Sequence, residues 1–129
     1  MFQPPSQQQE AVAKEIVGIA FDIHSQLGPG LLESVYETCF CHELKYRGIE
    51  YEQQKKVPIL YNDLKIDDGL RLDLLVENTI IIELKAQEDY HPVWEAQLLS
   101  YLKLTNKRLG FIINFHVPLI KNGIKRNIL

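Results

Sequence analysis

The chain has 129 residues, 46% of them hydrophobic and 24% charged, with a net charge of −3. That length fits one domain with one core, and that composition excludes a disordered, collagen-like or disulfide-stapled chain. No apolar run approaches the roughly 18 residues of a membrane span. The N-terminus has neither the basic nor the apolar region of a secretory signal, so a cytoplasmic protein with no membrane partner is expected.

Residues 1–7 read as a flexible tail bearing Pro and Gln, followed by a single domain that fills the rest of 1–129. Ser6, with Gln9 three residues later, predicts a reciprocal helix cap. Val12, Ile16, Ile19, Ala20, Ile23 and Leu27 then recur at helical spacing, so a helix is predicted over about 7–27. Gly28-Pro29-Gly30 stops it. A second helix is predicted over about 31–47, with Leu32, Val35, Tyr36, Cys39, Phe40 and Leu44 as its apolar face.

After Gly48 the period changes from helix to strand. Strands are predicted over 51–60, 65–66, 70–76 and 80–85, then a helix over 92–105, a strand over 109–115 and a polar edge strand within 119–128. The order is ααββββαββ, an α/β (α+β) chain. Cys39 and Cys41 lie two apart on the second helix, point to different sides and are expected to be reduced thiols. A Cys39-Cys41-His42 metal site lacks the second ligand pair that zinc sites need. All 17 acidic residues lie in 1–95, whereas 96–129 carry only basic charges. That basic third either meets phosphates or balances the acidic part.

The hairpin between 70–76 and 80–85 carries the chemistry. A two-residue turn at Glu77-Asn78 would pair 73 with 82 and mix polar with apolar faces. A three-residue loop, Glu77-Asn78-Thr79, pairs 76 with 80, 74 with 82 and 72 with 84, and lines up Leu72, Leu74 and Val76 with Ile80, Ile82 and Leu84. That register sets Asp73 opposite Glu83, with Lys85 on the same face. Two carboxylates that close repel unless a cation lies between them. Hard oxygen ligands with places left for water and phosphate suit magnesium, whose use is phosphoryl hydrolysis. The alternative is a surface Asp–Lys–Glu salt-bridge cluster.

Two further elements bear on the choice. Gln97 and Tyr101 are four apart on the third helix and share a face, as phosphate contacts or as a solvent-facing pair. Gly30-Leu31-Leu32-Glu33-Ser34-Val35-Tyr36 places Glu33 beside the buried face of the second helix, as a paired or metal-binding carboxylate or as an acid at the helix N-terminus.

Together these residues resemble a known family. Asp73 followed by Glu83-Leu84-Lys85 is similar to the signature of the PD-(D/E)xK nuclease superfamily, and Gln97-x-x-x-Tyr101 to the motif of its RecB-like branch. Gly30-x-x-Glu33-x-x-Tyr36 resembles the element that names the GxxExxY proteins of that superfamily. The residue before Asp73 is Leu72 rather than Pro, which leaves the acid that carries the chemistry in place. The resemblance spans about residues 10–127. It implies a restriction-endonuclease-like core, a central mixed sheet flanked by helices, and a nuclease dependent on Mg²⁺ or Mn²⁺ that hydrolyses DNA, or RNA, with metal-activated water. By position, the resemblance implies Asp73 and Glu83 as metal ligands, completed by the Leu84 carbonyl, Glu33 as a further carboxylate ligand or a holder of water, Lys85 as the catalytic lysine, and Gln97 and Tyr101 as the flanking motif. So short a chain needs a homodimer or a partner protein for double-strand cleavage. The other reading is a non-catalytic nucleic-acid-binding or protein-interaction module on the same fold, which the net acidity favours.

Overall fold

The computed structural model describes residues 4–129. Helix α1 spans Gln7–Leu27 and begins with the predicted cap: Gln9 N donates to Ser6 Oγ at 3.1 Å and Ser6 N to Gln9 Oε1 at 2.8 Å. Of the expected tail, residues 1–3 lie outside the described residues, and Gln7 already belongs to α1. Helix α2 spans Glu33–Tyr46. Strands β1 (Tyr51–Tyr61), β2 (Leu64–Val76) and β3 (Ile80–Lys85) follow, then helix α3 (Pro92–Thr105), strand β4 (Leu109–Asn114), a 3-10 turn at Ile120–Gly123 and strand β5 (Ile124–Ile128). No helix among the described residues is long and apolar enough to cross a membrane.

The five strands form one sheet in chain order, with β3 and β4 parallel and every other pair antiparallel. The parallel step needs a crossover, and α3 supplies it. Helices α1 and α2 cover one face, where Ile16, Ile19, Tyr36 and Phe40 pack on Leu74, Ile82, Leu84 and Phe111. Helix α3 covers the other, where Trp94, Leu98 and Leu102 meet Leu75, Ile81 and Ile112. Strands covered on both faces read as continuous apolar runs, which is why β4 is buried at every position. The expected mixed sheet flanked by helices is thus the observed one.

Three details differ from the sequence reading. The segments 65–66 and 70–76 are one strand: the ladder to β1 pairs Ile66 with Ile59 and Leu70 with Val57, and Asp67-Asp68-Gly69, where apolar alternation is absent, bridge the bulge between those pairs. Leu72 packs with the α3 cluster and not with Leu74 and Val76, so the alternation of β2 breaks around Asp73. The β2–β3 ladder also ends at Leu74↔Ile82 rather than continuing to 72 and 84.

The charge asymmetry is partly internal balance. Arg126 makes a bidentate pair with Glu10, both bonds 2.7 Å, and ties β5 to the start of α1. Cys41 is buried, and burial together with the Glu37 charge pushes its thiol up to about 11, an inert form at neutral pH. Cys39 is only partly buried.

Candidate active site

The three-residue loop forms as the apolar register requires, with Val76 paired to Ile80. Glu77 and Asn78 take φ of 51° and 56°, and Thr79 N donates to Val76 O at 3.0 Å. Beyond Leu74 and Ile82 the two strands part. Asp73 N donates to Glu83 Oε2 at 2.9 Å, and Leu84 N donates to Asp73 Oδ2 at 2.8 Å. Each carboxylate thus takes a backbone amide of the other strand. The splay lets two acids that would face each other across a closed ladder sit between the strands instead.

Burial there is deep, with Glu83 only 5% exposed. Burial, then the charge of Asp73, pushes the Glu83 carboxyl up to about 8, against the opposing pull of Lys85 and the Asp73 amide. Asp73 is raised as well, by burial first and by Glu37 next. Glu33, at the first position of α2, is raised by burial and by Asp73. Tyr101 on α3 is raised by burial and then by Glu83 and Asp73. Glu33, Asp73, Glu83, Lys85 and Tyr101 are thus close enough to act on one another by charge, while the hydrogen bonds that join them among the described residues are those of the Asp73–Glu83 crossing alone. Gln97 is exposed on α3, and no hydrogen bond among the described residues joins it to the others. Leu84 buries its side chain among α1 and α2 residues and gives its amide to Asp73.

The Gly30–Tyr36 element places Glu33 by a local clamp. Gly30 has φ of 98°, open to a residue without a Cβ. Tyr36 is buried and stacks on Phe115, ring centroids 4.4 Å apart. Its hydroxyl donates to Gly28 O at 2.6 Å and accepts from Leu31 N at 3.1 Å. The phenol therefore closes the loop that leads directly into the first turn of α2, where Glu33 sits.

Four residues of this region were not singled out by the sequence. Glu37, one turn after Glu33, accepts from Gln53 at 2.7 Å and from Gln54 at 2.9 and 3.0 Å. Its spacing from Glu33 was a readable signal. Gln54 also reaches Asp73 Oδ1 at 3.5 Å, from a backbone with φ of 51°. Trp94 lies under Lys85, whose Nζ is 5.4 Å from the ring centroid. Asn114, a polar residue within the apolar run of β4, is buried beside Lys85 in the β3–β4 register.

The Gln54 backbone gives a direct prediction. A left-handed conformation costs any residue with a Cβ about 1–2 kcal/mol. Gln54→Gly and Gln54→Ala both lose the carboxamide, so their difference isolates the backbone. The Gly variant is expected to be the more stable by about 1 kcal/mol in urea unfolding, the reverse of the usual order in a strand. An Ala variant at least as stable would remove the strain.

As arranged, no group of three or more His, Cys, Asp or Glu side chains among the described residues is gathered to hold a metal ion. Like charges with nothing between them keep apart, and one oxygen each of Asp73 and Glu83 is engaged by a backbone amide. The donor set still fits a hard divalent cation. The other Glu83 oxygen meets no hydrogen-bond donor among the described residues, and no ion pair there engages Glu33, Asp73 or Glu83. Buried acids without a cation are a state that a bound cation relieves.

The model of the PD-(D/E)XK nuclease superfamily matches residues 10–127 of the chain. No curated protein and no solved structure matches it significantly.

Proposed function

The chain belongs to the PD-(D/E)XK nuclease superfamily, and from that premise we propose that it is a divalent-metal-dependent phosphodiesterase acting on DNA. The observation that carries this reading is the crossed pair of carboxylates at the parting of β2 and β3, Glu83 buried and Asp73 half-buried, with no ion pair among the described residues and flanked by one lysine. Asp73, Glu83, Glu33 and the Leu84 carbonyl would hold Mg²⁺ or Mn²⁺. Such an ion, when bound, polarises a phosphoryl oxygen and lowers the pKa of a water molecule.

The chain's own residues do the rest. Lys85 orients the attacking water and offsets the negative charge that grows on the phosphate in the transition state. Tyr101, whose phenol is raised by burial and then by Glu83 and Asp73, donates to a phosphoryl oxygen. Gln97, exposed one turn earlier on α3, meets the substrate on its outer side. Glu33 enters on α2, held by the Tyr36 clamp. The Gly30-x-x-Glu33-x-x-Tyr36 element supports placement among the GxxExxY proteins, and the reduced thiols fit a cytoplasmic setting. A second copy or a partner protein would bring a second site to duplex DNA.

The reading is tested by calorimetric titration with Mn²⁺. Wild-type protein is expected to bind the ion and Glu83→Ala to lose most of that affinity. Equal heats from the two proteins would overturn the site, and a folded protein that binds no ion would point to the non-catalytic module.

A further inference from the structure

Among the described residues, Lys85 is the cation whose charge lowers Glu33, Asp73 and Glu83 alike. An ammonium beside uncompensated carboxylates, Glu83 among them buried, is expected to close onto them. It does not: among the described residues Lys85 makes no ion pair. Its Nζ lies instead over the indole of Trp94, within the range in which a ring face attracts a cation. That ring is fixed. Trp94 is 6% exposed, and its amide is bonded to His91 O at 3.0 Å in the first turn of α3. Tyr90 and His91 meet it edge-on, at 5.3 and 5.2 Å between centroids.

We propose that Trp94 is a positioning residue for Lys85, its indole face holding the ammonium away from Asp73 and Glu83 so that their oxygens stay open to a divalent cation. This rests on the metal-dependent reading above and adds a reason why that site does not mask itself. A lysine two residues from an acid on the same strand face is a built-in competitor for the acid, and the indole offers it another place. The consequence is specific: loss of the ring harms metal binding only while the lysine is present.

The chain has one tryptophan, so its emission reports on this contact without any metal. Lys85→Met keeps most of the stem and removes the charge. Its emission spectrum in metal-free buffer is expected to differ from that of wild type, and superimposable spectra would overturn the contact. Mn²⁺ affinity is then compared in wild type, Trp94→Leu, Trp94→Phe and the double variant Trp94→Leu/Lys85→Met, with folding checked by circular dichroism. Trp94→Leu is expected to bind about tenfold more weakly, Trp94→Phe close to wild type because a ring face remains, and the double variant at least as tightly as wild type. Unchanged affinity in Trp94→Leu overturns the proposal. So does an equal loss in the double variant, which would mean that packing and not the lysine is responsible. If Trp94→Leu does not fold, Trp94→Phe against Trp94→Met makes the same comparison. If wild type itself binds no Mn²⁺ through Glu83, the metal reading and the unmasking role fall together, while the emission of Lys85→Met still decides whether the lysine rests on the indole.

Discussion

Glu83→Gln is expected to make the metal-free protein more stable than wild type at about pH 8.5, by roughly 1–3 kcal/mol, the range for relieving an uncompensated buried polar group. The glutamine keeps an oxygen that can accept from Asp73 N, as Glu83 Oε2 does at 2.9 Å, and removes a charge that burial and Asp73 both penalise. The folded-state carboxyl of Glu83 is pushed up to about 8, above its unfolded value of about 4.3. A raised acid holds its proton longer in the folded state. Its contribution is therefore fully present below the unfolded value and is lost as pH rises through the folded one, at no more than about 1.4 kcal/mol per pH unit for one proton. Asp73 and Glu33 are shifted in the same direction. Metal-free wild type should weaken from about pH 5 to 8, and the advantage of Glu83→Gln should shrink as pH falls. Saturating Mg²⁺ should raise the melting point of wild type and leave that of the variant in place. Urea unfolding at several pH values, with EDTA and with Mg²⁺, checks all of this. A variant less stable than wild type at high pH would contradict the account. Stability gained where activity is lost is the expected mark of a site built against its own folding.

Asn114→Ala carries the second large effect. The Asn114 carboxamide accepts from Gln87 N at 3.1 Å and from His116 N at 3.2 Å, and donates to Gln87 O at 2.9 Å. It lies at the end of β4, paired with Lys85 at the end of β3. One buried amide thus pins the segment that runs from Lys85 towards α3, which carries Trp94 and Tyr101. Truncation leaves three backbone groups without partners. The expected loss is about 2–4 kcal/mol, since each stranded buried group costs about 1–3 and water recovers part of it. Asn114→Asp retains the two acceptor contacts and loses the donated one, so it should fall between wild type and Ala. A loss below about 0.5 kcal/mol in Asn114→Ala would mean that the segment is held by other contacts.

Much of this was legible from periodicity and caps. The register of the β2–β3 hairpin follows from matching Leu74 and Val76 to Ile82 and Ile80, and Asn78 tolerates the left-handed turn that the match requires. The Ser6–Gln9 cap and the Pro92 start of α3 are local signals that the structure repeats. The parting of the strands at Asp73 and Glu83 was not legible, because alternation describes a closed ladder and says nothing of where it ends. The continuity of β2 through Asp67-Asp68-Gly69 was hidden for a related reason: these residues have no apolar face, and the pairs Ile66↔Ile59 and Leu70↔Val57 on either side carry the strand across the bulge. Gln54 left no trace in the sequence, since its left-handed backbone belongs to the assembled site. Asn114 did leave one, as the polar residue in a buried run, and Trp94 was visible as the one tryptophan without a hint that it lies under Lys85.

The most direct measurement is cleavage of supercoiled, linear and single-stranded DNA by the purified protein with Mn²⁺ and with Mg²⁺, beside a Glu83→Ala/Lys85→Ala double variant and an EDTA control. Wild type is expected to cleave, and EDTA and the double variant are both expected to abolish cleavage. Cleavage that survives in the double variant, or none from folded wild type that has bound Mn²⁺, would contradict the metal-dependent reading.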